Sequence, residues 1–123
     1  MSNNAPERFR DLLDMRLPES EEDLVRDVLT RRQDRFVSYH GMRTRRSGRY
    51  RHVDFHLVVP RLVTVEEAHQ LTDLIEANVE AAMPGTIPTI HVEPCRVPDE
   101  QCRAACTGAA TPYCREHPHA LEG

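Results

Sequence analysis

Apolar residues fall into two kinds of repeat along the chain, and each kind predicts an element. From Glu19 to Arg32, Leu24, Val25, Val28 and Leu29 recur at i, i+1, i+4 and i+5. That spacing places one stripe on a 3.6-residue period and predicts a helix. Acidic Glu21, Glu22 and Asp23 open it and Arg31 and Arg32 close it, the polarity that complements a helix dipole. From Thr64 to Met83 a second helical repeat puts Ala68, Leu71, Leu74, Ile75, Val79 and Ala82 on one face. Thr64-Val65-Glu66-Glu67 reads as a capping box at its start, and Pro84-Gly85 ends it.

The other repeat has period two. Val53, Phe55, Leu57 and Val59 alternate with His52, Asp54 and His56, so Tyr50 to Val59 is expected as a strand ending at Pro60. Arg35 to Thr44 is expected as its hairpin partner across a turn at Ser47-Gly48. Thr86 to Glu93 is expected as a third strand, with Ile90 and Val92 inward and Thr89, His91 and Glu93 outward. The order is α-β-β-α-β, an α+β two-layer sandwich with a right-handed crossover that sets the third strand parallel to a hairpin strand. Phe9, Leu12, Leu13 and Leu17 predict a short helix before it. The chain is divided into a lead at residues 1–18, a folded unit at 19–94 and a Cys- and Pro-rich tail at 95–123.

Composition narrows the classes. The 123 residues are 39% hydrophobic and 29% charged, one ordinary globular domain. Apolar runs fall far short of the roughly 18 residues that span a bilayer. Met1 to Arg10 has no apolar core of a signal peptide, so a cytoplasmic setting is expected, where four Cys serve as thiols or metal ligands. A net charge of −4 argues against a general nucleic-acid binder.

The sharpest chemical feature is His91-x-Glu93. Residues i and i+2 of a strand share a face, so an imidazole and a carboxylate converge there. His56 faces the same side of its own strand, His40 lies near the end of the first strand, and His69 sits on the long helix one turn before Asp73. Imidazole and carboxylate suit a borderline divalent ion, zinc first. Each His taken alone is more often a surface residue than a ligand. The sheet should also keep His69 from the outer face, so it joins the others only from another subunit or at the rim.

His40-Gly41-Met42-Arg43-Thr44-Arg45-Arg46-Ser47-Gly48 resembles the His-Asp-Leu-Arg-Thr-Arg-x-Ser-Gly motif in the cytoplasmic C-terminal domain of the cation diffusion facilitator family of zinc transporters. Phe55-His56-Leu57, Glu67-Ala68-His69 and Ile90-His91-Val92-Glu93-Pro94 resemble its later motifs in order, and Asp11-Leu12-Leu13-Asp14 and Leu17-Pro18-Glu19 the segment leading into it. The resemblance implies a metallochaperone-like (ferredoxin-like) αββαβ fold, a homodimer beneath a transporter's membrane part, and divalent ions held between subunits. It places the metal ligands on His40, His56, His69, His91 and Glu93. Glu93 stands where many members have Asp, and Gly41 replaces an acidic residue. Zn2+ is the expected ion, with Mn, Fe, Co and Ni as other candidates. Imidazole ligands must be neutral, so binding should weaken as pH falls through about 6.5.

Two features lie outside that pattern. Arg43, Arg45, Arg46, Arg49 and Arg51 crowd one hairpin, either as a solvated turn paired with acidic helix starts or as a contact for an anionic membrane surface. Cys102, Cys106, Cys114 and His117 could form a second, soft-metal site, although no Cys-x2-Cys pair is present. The first functional reading is a non-enzymatic, metal-binding dimerisation and regulatory domain of a cation efflux protein. The alternative is a stand-alone cytosolic metal chaperone or buffer using the His cluster and the Cys tail. A metal-dependent hydrolase lacks an associated nucleophile or base, and no nucleic-acid partner is expected.

Overall fold

A computed structural model describes residues 15–96. Its elements are α1 (Glu19–Arg31), β1 (Ser38–Ser47), β2 (Tyr50–Val59), α2 (Val65–Ala82) and β3 (Thr86–Pro94), with one 3-10 turn at Gln33–Arg35. The sheet order is β1-β2-β3. β1 runs antiparallel to β2, and β3 runs parallel to it through the α2 crossover. Both helices pack on one face of the sheet. Between the layers lie Val25, Val28 and Leu29 of α1, Leu71, Ile75 and Val79 of α2, and Val53, Phe55, Leu57 and Val59 of β2. This is the α+β two-layer arrangement that the repeats imply and the ferredoxin-like fold that the resemblance implies.

The strand alternation of β2 is complete: its odd residues from Val53 to Val59 are buried and its even ones half-exposed on the other face. The α2 capping box is also present. Thr64 Oγ1 accepts from Glu67 N at 3.0 Å, and Glu67 Oε1 accepts from Thr64 N at 2.9 Å. Gly85, at φ +88°, turns the chain from α2 into β3 in a conformation that L side chains rarely adopt.

Several local expectations are corrected. Residues 33–35 form the 3-10 turn, so β1 begins at Ser38 and runs on to Ser47. The hairpin loop is Gly48-Arg49, with Ser47 paired to Tyr50. Gly48 at φ +63° supplies the positive φ that a two-residue hairpin loop needs at its first position. Leu24 is exposed, because it lies about 100° around the helix from Val25 and outside the buried arc. Glu22, three residues before Val25, lies on that arc and is 2% exposed. Ala82 is exposed and Met83 closes that end of the core instead. Val92 is 41% exposed, since it stands on an edge strand near the end of the helix layer.

Glu22 is the one buried acid of the described core. It accepts two hydrogen bonds from the Arg16 guanidinium, both at 2.8 Å, and one from Thr44 Oγ1 at 2.6 Å. The Arg16 hydrogen bonds lead in holding its carboxyl down at about 2, and Thr44 adds to them against the opposing effect of burial. Leu17 N donates to Thr44 Oγ1 and Arg46 N to Met15 O, so the entry segment is tied to β1. Leu17, before the expected boundary at residue 19, is in the core, and Cys95 is buried just after β3. The expected helix over Phe9 to Leu17 lies almost wholly outside the described residues, and Met15 to Pro18 are not helical.

Candidate metal centre

The outer face of the sheet, opposite the helices, is built in cross-strand rows. His40, His56 and His91 form one row, since β1 pairs His40 with His56 and β3 pairs His91 with His56. Their rings stack in sequence, with centroids 5.0 Å apart in both pairs. That distance is close to the strand spacing of about 4.8 Å, so the sheet itself sets it. The next row is Arg43, Asp54 and Thr89, and the one beyond it Arg45, His52 and Ile87.

His40 reaches this face through a bulge. Between the His40–His56 and Arg43–Asp54 pairs, β1 carries one residue more than β2. Gly41 in that interval has φ +67°. Strict alternation would put His40, Met42 and Thr44 on one face. The extra residue lets His40 face outward while Met42 packs on the core and Thr44 reaches Glu22.

Glu93, two residues beyond His91, joins the row. Its Oε2 lies 2.6 Å from His56 Nδ1 and its Oε1 3.2 Å from His40 Nε2. An ionised carboxylate can only accept, so these contacts are hydrogen bonds in the tautomers that put a ring proton towards Glu93. The His40 contact leads and the His56 contact adds to it, holding the Glu93 carboxyl below the usual carboxylate range. One donor atom each from His40, His56 and Glu93 lies within 4.8 Å of the others. Zinc bonds of about 2.1 Å place tetrahedral ligand atoms about 3.4 Å apart. The observed separations of 2.6 and 3.2 Å both fall short of that value, so the donor atoms would have to spread by a few tenths of an ångström or more to admit an ion between them. The residues fit a divalent ion of zinc type.

The expected ligands divide into three groups. His40, His56 and Glu93 are brought together. His91 stacks on His56 beside them but contributes no donor to the group within 4.8 Å. His69 stands on α2 in the other layer, 71% exposed, with Nε2 3.3 Å from Asp73 Oδ2. Cys102, Cys106, Cys114 and His117 lie outside the described residues. Sequence reasoning registered Gly41 only as a missing oxygen; a Gly between strand residues is the signal of a bulge.

The hairpin arginines do not form one patch. Glu21, at the start of α1, takes Arg51 at 3.0 Å and Arg46 at 3.5 Å on the helix side. Arg43 faces outward beside Asp54 at 3.4 Å, and Arg49 lies over the Tyr50 ring. The cross-strand geometry thus splits the charge between two faces.

An exposed row of imidazoles on a ferredoxin-like sheet, two of them joined by one carboxylate, is the arrangement that the resemblance to cation efflux proteins implies. The comparisons agree: residues 17–95 match the family of the cation efflux protein cytoplasmic domain, and the chain belongs to it. The cation-efflux pump FieF of Yersinia pestis (strain Pestoides F) is 34% identical over 91 residues, 74% of this chain and 30% of that protein. FieF of Yersinia pseudotuberculosis serotype O:3 (strain YPIII) matches equally. This chain therefore spans less than a third of the curated relatives it matches. Among solved structures, CzrB is 43% identical with a TM-score of 0.60, covering 63% of this chain and 96% of that one. The metal-bound C-terminal domain of the CzcD transporter from Thermotoga maritima is 29% identical with a TM-score of 0.57, covering 61% of this chain and 87% of that one. No helix among the described residues is long and apolar enough to cross a membrane.

Proposed function

We propose that this chain is a regulatory domain that binds Zn2+ or a related divalent ion between two copies of itself and is thereby biased towards a closed dimer. The observation that carries this reading is the Glu93 carboxylate joining His40 of β1 and His56 of β2 on an exposed face. Three donors leave a tetrahedral ion one position short. His91 stands beside the group, and His69 supports completion from a second copy. The parallel crossover starts α2 at the end of the sheet where β2 and β3 finish, so His69 lies at the same end as His56, His91 and Glu93 but on the other layer. A two-fold axis can exchange such elements between copies. Leu62 and Val65 at the entry to α2 are 50% and 86% exposed, apolar surface that a second copy would cover.

Metal that binds the closed form better than the open form shifts the pair towards closure. At free ion 100 times the dissociation constant this linkage is worth roughly 2.7 kcal/mol. In a longer protein the closed pair would act on an attached membrane part, and the domain itself would act by binding, with no catalytic step. Any contact with anionic lipid on this face would involve Arg43, which also pairs with Asp54, and Arg45. Calorimetry with Zn2+, combined with sedimentation, tests the main reading. Wild type should bind and dimerise more tightly with the ion, and His56→Ala should lose both. Equal titration curves for the two would overturn it.

A further inference from the structure

We infer that Gly41 is a positioning residue for this metal centre, fixing which nitrogen of His56 faces the ion; the inference rests on the metal-binding reading above. Two observations carry it. Gly41 holds φ +67° in the β1 bulge, a conformation that favours glycine. A Cβ built there would stand 3.1 Å from His56 Cδ2 and 3.9 Å from His56 Nε2. Unstrained carbon contacts begin at about 3.5 Å. The bare backbone of Gly41 therefore lets the Cδ2 edge of the ring press against β1, and the opposite edge turns Nδ1 to Glu93 at 2.6 Å.

The choice of nitrogen has a chemical consequence. Nδ1 is the ring nitrogen nearer the main chain, so an ion held through it sits close over β2. His40 meets the same carboxylate through its outer nitrogen, Nε2. One near and one far nitrogen place the ion over β2, where the Glu93 carboxylate already lies. A side chain at residue 41 would require the ring to give by a few tenths of an ångström, away from β1.

The experiment separates backbone strain from the ring contact. Asn tolerates the left-handed region yet carries a Cβ. Gly41→Asn should keep the far-UV spectrum and melting temperature close to wild type. Its Co2+ affinity should fall about tenfold, the scale of a lost supporting residue, with a changed Co2+ absorption spectrum. Wild-type affinity in Gly41→Asn, with His56→Ala weakened, would overturn the role of Gly41 and leave the metal reading standing. No difference between wild type and His56→Ala would overturn both. Should Gly41→Asn fail to fold, cadmium–nitrogen scalar coupling in the wild-type chain decides: coupling to His56 Nδ1 is expected, and coupling through Nε2 overturns the inference.

Discussion

Glu93 Oε1 lies 3.2 Å from His40 Nε2 although the whole of β2 separates their strands. Neighbouring strands are about 4.8 Å apart, so the contact crosses two such spacings. Glu has the reach for it, and Asp at the same position falls one methylene short. Glu93→Asp should keep the fold and weaken Zn2+ binding about tenfold, near 1.4 kcal/mol. Calorimetry reads this directly; an unchanged affinity would show that the longer side chain is immaterial.

His56 and Leu57 are neighbours in sequence on opposite faces, so they should fail in different ways. Leu57 is fully buried, and Leu57→Ala should cost about 2–5 kcal/mol of stability. His56→Ala should leave the urea midpoint nearly unchanged and remove metal binding. Denaturation of both variants with and without Zn2+ checks the contrast.

Glu22 makes stability depend on pH with a definite sign. Its folded carboxyl titrates at about 2 against an ordinary 4.5, so its stabilisation is present above pH 4.5 and lost as pH falls towards 2. A shift of that size corresponds to about 3 kcal/mol. Glu22→Gln should be less stable than wild type at pH 7 by an amount of that order. The gap should shrink steadily in urea melts between pH 4.5 and pH 2, and a gap that stays constant would contradict the assignment. Glu93 shares the downward direction, through His40 first and then His56.

His69 tests the two-copy arrangement. His69→Ala should retain ion binding by the His40, His56 and Glu93 group while losing ion-dependent dimerisation. Removing the ion from wild type with a chelator should produce the same dissociation. Sedimentation velocity measures both, and a variant that still dimerises with Zn2+ would place the shared ligand elsewhere.

How the centre is assembled shows what a linear pattern can carry. Alternation in β2 and β3 set His56, His91 and Glu93 outward, because a strand's period of two is local. The 3.6-residue repeats of α1 and α2 likewise located both helices and, through them, the covered face of the sheet. The face of His40 was not legible in the same way. It depends on one extra residue at Gly41, and a bulge reverses the sense of every side chain beyond it.

By itself, then, the sequence determined the order of elements and the inward and outward faces of β2, and it offered a set of candidate residues to hold an ion. Only the tertiary structure decided that Glu93 reaches across β2 to His40 and that Glu22 is buried between Arg16 and Thr44. The reason is physical. Periodicity reports a residue's orientation relative to its own neighbours, whereas these contacts join segments distant in sequence, and strand register and layer packing alone bring such segments together.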